Sequence, residues 1–480
     1  MPIPSSTVRG TPETWRPMPK PVGAACETAG RLDRDARFPQ LIDVAPNLAA
    51  RLRALVVIVV GAGSIGMRVI DALARMGIRG LWICDGRNTK AESLLTHPVG
   101  PDEIGVPKAE LAARQAKGLS PETDVRSFAG PFEDLPRDAL AGADCVVIAT
   151  DNPAAEVSVT QACLHLGLDH LQASVYGRAL VATVRTLTAG ASRGGPCLAC
   201  GFSLREWSDL DRGTRFSCDG GAEPSAAPDA ATLATASLPH LCALAASLAV
   251  GELVRTRLGL GPEADVGRSL EICGYDGRTV RTRLTRNPEC PLDHSVWSVR
   301  TSDTPLDKLT PRDLARIAGI GDHQLASTSI EVDGHRFVGL AACECVEHLG
   351  FGRFLRVAGG SRVTSRQAVE PTDGGGASFG VELGRCPDCG GGLVPHPMYT
   401  HSETPWGSLG GCLDRNLGEL GAGAAPTVLV RAPHGTTLVR PPASARPLPS
   451  AGGALIAPEP GDPKPSQSED FTPRQEVPEP

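Results

Sequence analysis

The residues whose types and spacing suit them to chemistry form two groups: a glycine-rich turn with charged residues downstream, and cysteines in closely spaced pairs. Gly61-Ala-Gly63-Ser-Ile-Gly66 follows the apolar run Val56–Val60 and opens an amphipathic stretch, Met67–Arg75. A G-x-G-x-x-G turn between a strand and a helix is suited to phosphate. The first glycine allows the tight turn, the second lets backbone N–H groups approach the ligand, and the third lets helix and strand come close. The helix N-terminus adds partial positive charge. Asp85 ends the next apolar segment, Gly80–Cys84, where a carboxylate can accept hydrogen bonds from ribose hydroxyls. Taken alone, these features suit NAD as well as ATP.

Further residues extend the pattern. Lys108, in Gly105-Val-Pro-Lys108, opens a helix predicted over Lys108–Lys117. It is either a point charge within reach of phosphates or an ordinary surface lysine. Asp151 follows the strand Asp144–Thr150, which puts its carboxylate at the carboxyl edge of a sheet. There it either holds Mg²⁺ on a triphosphate or caps the next helix, Ala154–Leu166. Among the 15 cysteines, Cys197/Cys200 and Cys386/Cys389 have two residues between them, and Cys343 and Cys345 lie close together ahead of His348. In a reducing compartment such clusters read as metal ligands or reactive thiols. Cys343, Cys345, Cys386 and Cys389 have the spacing of two zinc-ribbon knuckles, with a pair of unmetallated turns as the alternative. Cys84, Cys145, Cys163 and Cys242 fall in apolar runs and read as small buried hydrophobes, and His165 and His170 as structural histidines.

These residues need a scaffold, and the pattern around them supplies one. Continuous apolar strands at 55–60, 80–84 and 144–150 alternate with helical segments, as in a parallel sheet covered on both faces. The fold class is α/β: a Rossmann-like, doubly wound, mostly parallel sheet. Strands are also expected at His170–Ser174, Ala179–Leu187, Ser269–Tyr275 and Thr279–Leu284. A polar loop is expected over Arg205–Asp229 and a long helix over Ala231–Leu258. Four segments result: a flexible arm at 1–25, the α/β domain at 26–300, a smaller α+β domain with the ribbon-like cysteines at 301–440, and a proline-rich disordered tail at 441–480. The length of 480 residues accommodates this, and 55 glycines with 42 prolines fit the loops and ends. A net charge of −7 without a Lys/Arg block excludes a nucleic-acid footprint. No apolar run is long enough for a bilayer and no secretory signal is recognisable, so the expected compartment is the cytoplasm.

From about Arg31 to His294 the chain resembles the ubiquitin-activating-enzyme-like adenylyltransferases, the ThiF/MoeB/HesA group. The resemblance is carried by Arg31-Leu-Asp-Arg34, Gly61–Gly66, Asp85, Gly105–Lys108, Thr150-Asp151-Asn152, Pro196-Cys-Leu-Ala-Cys200, the loop bearing Cys218, the long helix and Arg286-Asn-Pro-Glu-Cys290, in the family's order. It implies that ATP and the C-terminal carboxylate of a ubiquitin-like protein, a sulfur carrier or a peptide yield an acyl-adenylate and pyrophosphate. By the same resemblance Asp85 binds ribose, Lys108 the phosphates and Asp151 Mg²⁺. Arg34 is an arginine finger reaching a partner subunit's nucleotide, which implies a homodimer. Mg²⁺, Lys and Arg would neutralise the charge that builds on departing pyrophosphate.

The resemblance also assigns cysteines. Cys197 and Cys200 look like half of the family's structural zinc site, completed here by Cys290 and either His294 or Asp293. Cys218 occupies the loop where several relatives carry an acyl-accepting thiol. Asp219 beside it disfavours the thiolate, so an incidental loop cysteine is the other reading. One stretch departs from the family: Arg87, Ser93 and Thr96 stand where it carries an Asp and an Asn-x-x-Arg. Losing that Asn and Arg removes charge-assisted hydrogen bonds of about 1.5–3 kcal/mol each, with Arg87 and His97 at hand as replacements. Two alternatives follow. A non-catalytic member would bind a ubiquitin-like partner or nucleotide, whereas an NAD-dependent oxidoreductase would leave Lys108, Asp151 and the cysteine pairs without a role.

Overall fold

The computed structural model describes residues 48–188, 195–211, 215–217, 232–234, 237–260, 267–338, 340–343, 354–356, 362–365, 389–391, 393–395, 400–401, 403–407, 409, 413–422 and 427–442. The expected arm and all but the first two residues of the expected tail lie outside them, as do Arg34, Cys218, Cys345 and Cys386.

Helix α1, Leu48–Ala54, leads into β1, Val56–Val60, all five of whose residues are buried. A strand apolar on both faces must be covered on both, which places β1 inside a parallel sheet. β1 pairs in parallel with β2, Gly80–Cys84, on one side and with β4, Cys145–Ile148, on the other. The full sheet has eight strands in the order β10-β9-β6-β5-β4-β1-β2-β3. β3 is Asp124–Phe128, β5 Asp169–Tyr176 and β6 Val181–Leu187; β7, Arg215–Ser217, and β8, Thr232–Ala234, form a separate parallel pair. β9 is Arg268–Cys273 and β10 is Thr279–Arg283. The five strands from β3 across to β5 run parallel, whereas β6, β9 and β10 add on as antiparallel neighbours.

Helices cover the sheet. α2, Gly66–Met76, buries Met67, Val69, Ile70, Leu73 and Ala74, the one-sided spacing of an amphipathic helix, and stops at Gly77 with a left-handed φ of 70°. After α3, Ser93–Thr96, come α4, Lys108–Leu119, and α5, Arg137–Ala141. α6, Pro153–Leu166, starts at Asn152, whose side chain accepts the N–H of Ala154, with Pro153 at a position that needs no donor. α8, Pro239–Leu258, lies across β5 and β6 and against α2. Its buried charge, Glu252, is held by Arg268 and by the Thr186 hydroxyl.

Three expectations are corrected. Part of the supposed polar loop is helical: α7 spans Leu204–Asp211, with Trp207 edge-on to Phe202. The long helix begins at Pro239 rather than Ala231, because Thr232–Ala234 pairs with Arg215–Ser217 as a strand. The edge strand β3 lies in a stretch where no strand is expected, since its half-exposed Asp-Val-Arg-Ser-Phe lacks an apolar run.

Beyond residue 297 a second sheet is built from β11, Ser298–Thr301, β12, Ser329–Val332, and the strands Glu403–Pro405, Val428–Ala432 and Gly435–Arg440. With α9, Pro311–Ala318, it encloses its own apolar cluster of Leu314, Ile330, Phe337, Trp406, Val428 and Val430. Trp297, Leu429 and Leu438 meet Ala141 and Leu166 of the first sheet's helices. Arg440 reaches Asp138 at 2.5 Å, and Arg137 is paired with Glu331 at 2.6 Å. No helix among the described residues is long and apolar enough to cross a membrane.

Candidate active site and metal centre

Strand order reverses between β1 and β4, and in open α/β sheets the carboxyl ends of strands at such a point frame the ligand crevice. The glycine turn sits there. A Cβ on Gly61 would lie 2.6 Å from the Ala149 carbonyl oxygen, at a φ of 95°, and one on Gly66 would lie 1.8 Å from the Gly61 oxygen. Both positions require glycine for close packing. Gly63 is different: its added Cβ would meet only His97 Nε2, at 3.7 Å, an ordinary contact, so close packing does not require glycine there.

Gly63 borders a cleft of about 490 Å³ whose lining also includes Gly61, Asp85, Arg87, His97, Lys108 and Asp151. Residues distant in the sequence are thus brought together by three strand ends. Asp85, past the end of β2, accepts the Ala62 N–H at 2.7 Å and the Arg87 N–H at 2.8 Å. Its carboxylate is thereby fixed beside the turn with lone pairs to spare. Lys108 begins α4, and its N–H bonds the Arg87 carbonyl at 2.9 Å, which holds the two cationic residues on adjoining backbone. Asp151 lies 3.8 Å from the Arg87 guanidinium and is a third exposed. Withdrawal from water raises its carboxyl above the ordinary range, while Arg87 and Lys108 pull the other way. A cation beside it would relieve that penalty.

The departing segment has a structural account. Ser93 and Thr96 are buried at 2% and 7% exposure and do not line the cleft. Ser93 Oγ accepts the Lys90 N–H, and the Thr96 hydroxyl meets His97 Nδ1 at 2.9 Å. Arg87 and His97 line the cleft in their stead.

Sequence reasoning missed Glu156. It lines the inner wall, hydrogen-bonded at 3.0 Å to Gln172, which in turn accepts from Arg185 at 3.4 Å. Burial pushes its carboxyl up to about 7. In the sequence it reads as a routine acid in the first turn of a helix, and nothing local signals the strand residue it meets.

The second cluster joins Cys197 and Cys200, around the turn Leu198–Gly201, to Cys290 and His294 from the loop after β10. Cys197 Sγ lies 3.6 Å from both Cys200 Sγ and Cys290 Sγ, and Cys200 Sγ lies 3.7 Å from His294 Nε2. A tetrahedral site with Zn–S bonds of about 2.3 Å has S–S edges of about 3.8 Å, so the donor set fits zinc. His294 Nδ1 bonds the Gly195 carbonyl at 3.1 Å, which leaves Nε2 to face the thiols. The Cys197 thiol and backbone pull Cys200 down to about 5, while Cys197 itself is pushed up. Asp293 is turned away, accepting from the Ser295 backbone and hydroxyl and meeting His165 at 3.2 Å. Of the two expected fourth ligands, His294 is the one in place.

Of the ribbon-like cysteines, Cys343 and Cys389 are described, with their sulfurs 3.5 Å apart. Cys84, Cys145, Cys163 and Cys242 are buried, as expected, and burial raises the first three thiols. His165 stacks on Trp297 at 4.0 Å, and His170 is 1% exposed.

A glycine turn at a strand-order reversal, with an acid and two cations around it, defines a Rossmann-like α/β protein with a charged cleft at the switch point. The ThiF family profile matches residues 35–292, and the chain belongs to the ThiF family. It is 29% identical over 266 residues to the SAMP-activating enzyme E1 of Haloferax volcanii, covering 55% of this chain and 89% of that protein. It is 26% identical over 272 residues to the sulfur carrier protein adenylyltransferase of Thermus thermophilus, covering 55% and 92%. Among solved structures, the E. coli MccB complex with ATP aligns with a TM-score of 0.40 at 17% identity, covering 51% of this chain and 68% of that one.

Proposed function

We propose that the protein is an ATP-dependent adenylyltransferase acting on the C-terminal carboxylate of a ubiquitin-like, sulfur-carrier or peptide substrate. The carrying observation is the convergence of Asp85, Arg87, Lys108 and Asp151 on one cleft beside the glycine turn. Asp85 receives the ribose hydroxyls. Backbone N–H groups of the turn and the Lys108 ammonium hold the phosphates. A carboxylate oxygen of the substrate attacks the α-phosphorus, and the bond to the bridging oxygen breaks to release pyrophosphate. No proton transfer is needed, because the attacking carboxylate is already ionised. Charge accumulates on the departing oxygens, where Lys108 and Arg87 offset it in a partly dehydrated setting. Asp151 is the residue to hold Mg²⁺, which would supply further neutralisation of the triphosphate.

Zinc at Cys197, Cys200, Cys290 and His294 serves structure, since a four-ligand protein set leaves no open position. Cys343 and Cys389, with Cys345 and Cys386, are read as a second zinc knuckle pair within a partner-binding region at 301–440. A homodimer would supply Arg34 in trans, and Cys218 is the candidate acyl acceptor.

The buried, structural bonding of Ser93 and Thr96 favours one alternative, a member that binds nucleotide without adenylating. Exchange of labelled pyrophosphate into ATP separates the two. Exchange that requires a peptide or protein with a free C-terminal carboxylate, and disappears with the C-terminal amide, is expected. Binding of Mg·ATP without exchange for any carboxylate substrate would favour the non-catalytic reading.

A further inference from the structure

His97 is 9% exposed and lines the nucleotide cleft, yet its Nε2 is buried with no protein partner among the described residues. Its setting is built rather than incidental. The His97 N–H bonds the Ser93 carbonyl at 2.8 Å, and Nδ1 lies 2.9 Å from the Thr96 hydroxyl. Arg68 donates to the Thr96 carbonyl at 2.9 Å and to the Ser64 carbonyl at 2.6 Å, tying this segment to the glycine turn. The ring is therefore held with Nε2 toward Gly63, the one glycine of the turn where an added Cβ would meet no backbone. Buried polar atoms without partners are rare and costly, and they concentrate where a ligand completes them.

The protonation state narrows what that ligand is. Burial, with the nearby charges of Lys108 and Arg68, lowers His97 to about 4, so the ring is neutral near pH 7. The Thr96 hydroxyl beside Nδ1 can donate to it, and in that tautomer the ring hydrogen lies on Nε2 and faces the cleft as a donor. An anion ringed by Lys108 and the turn's backbone donors suits it.

We propose that His97 Nε2 donates a hydrogen bond to a phosphate oxygen of the nucleotide beside Gly63. This rests on the reading of the cleft as a nucleotide site. His97 is then a binding residue for the polyphosphate, and Thr96, 2.9 Å from Nδ1, a positioning residue for the ring.

The test is titration calorimetry of Mg·ATP, inorganic tripolyphosphate and adenosine into the full chain and into His97→Leu and His97→Gln. The leucine variant is expected to bind ATP and tripolyphosphate about tenfold more weakly, equivalent to about 1.4 kcal/mol, with adenosine unchanged. Glutamine, which can offer an amide N–H near the same point, should restore most of the loss. In the wild-type protein the ¹⁵N resonance of His97 Nε2 should move with tripolyphosphate and stay still with adenosine, a readout independent of any variant's folding. Unchanged phosphate affinity in His97→Leu, equal weakening of adenosine, or an unmoved Nε2 resonance overturns the proposal while leaving the nucleotide site intact. A wild-type protein that binds none of the three ligands overturns both.

Discussion

Gly61, Gly63 and Gly66 share one motif but not one job, and substitution separates them. Gly66→Ala forces a Cβ against the Gly61 carbonyl and should cost about 3 kcal/mol in urea unfolding. Gly63→Ala meets only His97 Nε2 and should leave stability within about 0.5 kcal/mol, while weakening Mg·ATP binding. Equal losses of stability would contradict this division. His170 offers a pH test away from the cleft. Its burial lowers it to about 4 from an ordinary 6.5, so the folded state resists a proton that the unfolded chain accepts. The resulting stability is present above 6.5 and is lost as pH falls from 6.5 to about 4, by about 1.4 kcal/mol per pH unit for one proton. His170→Asn should flatten that part of the stability–pH curve by one proton relative to wild type. Glu156, raised to about 7, runs the other way and is common to both proteins. Asp85, Lys108 and Asp151 were legible in the sequence because each sits at the end of an element whose apolar pattern announces it. Glu156 was not, because its partner Gln172 lies on another strand.

Elements decide which side chains converge on the Cys/His cluster. Cys197 and Cys200 share a tight turn, whereas Cys290 and His294 come from a loop that β9 and β10 carry back to it. Zinc analysis of the purified chain should find metal lost on Cys290→Ser or His294→Ala and retained on Asp293→Ala. Loss on Asp293→Ala alone would contradict the assignment of His294. Spacing alone left Asp293 and His294 level; the choice came from the loop, which spends the Asp293 carboxylate on Ser295. The core strands were readable because both their faces are apolar. β3 and α7 were not, being short, half-exposed pieces whose residues take their structure from neighbours.

At the scale of the whole molecule, the two sheets meet through charge as well as apolar surface. Arg440 is 7% exposed and spends its donors on Asp138 and on the carbonyls of Asp138 and Ala141. Asp138→Ala leaves that guanidinium buried with its counter-charge removed, at an expected cost of about 3 kcal/mol in thermal or urea unfolding. A change under about 0.5 kcal/mol would show that the pair is not part of what joins them. No periodicity in the sequence foretold this, since β11 pairs with Gly435–Arg440 across more than a hundred residues. The measurement that bears most directly on the central claim is the thermal stability of the chain with Mg·ATP and with NADH, in wild type and in Asp151→Ala. Ligand at 100 times its dissociation constant adds about 2.7 kcal/mol. The account predicts stabilisation by Mg·ATP that Asp151→Ala abolishes; stabilisation by NADH alone, or by neither ligand, would contradict it.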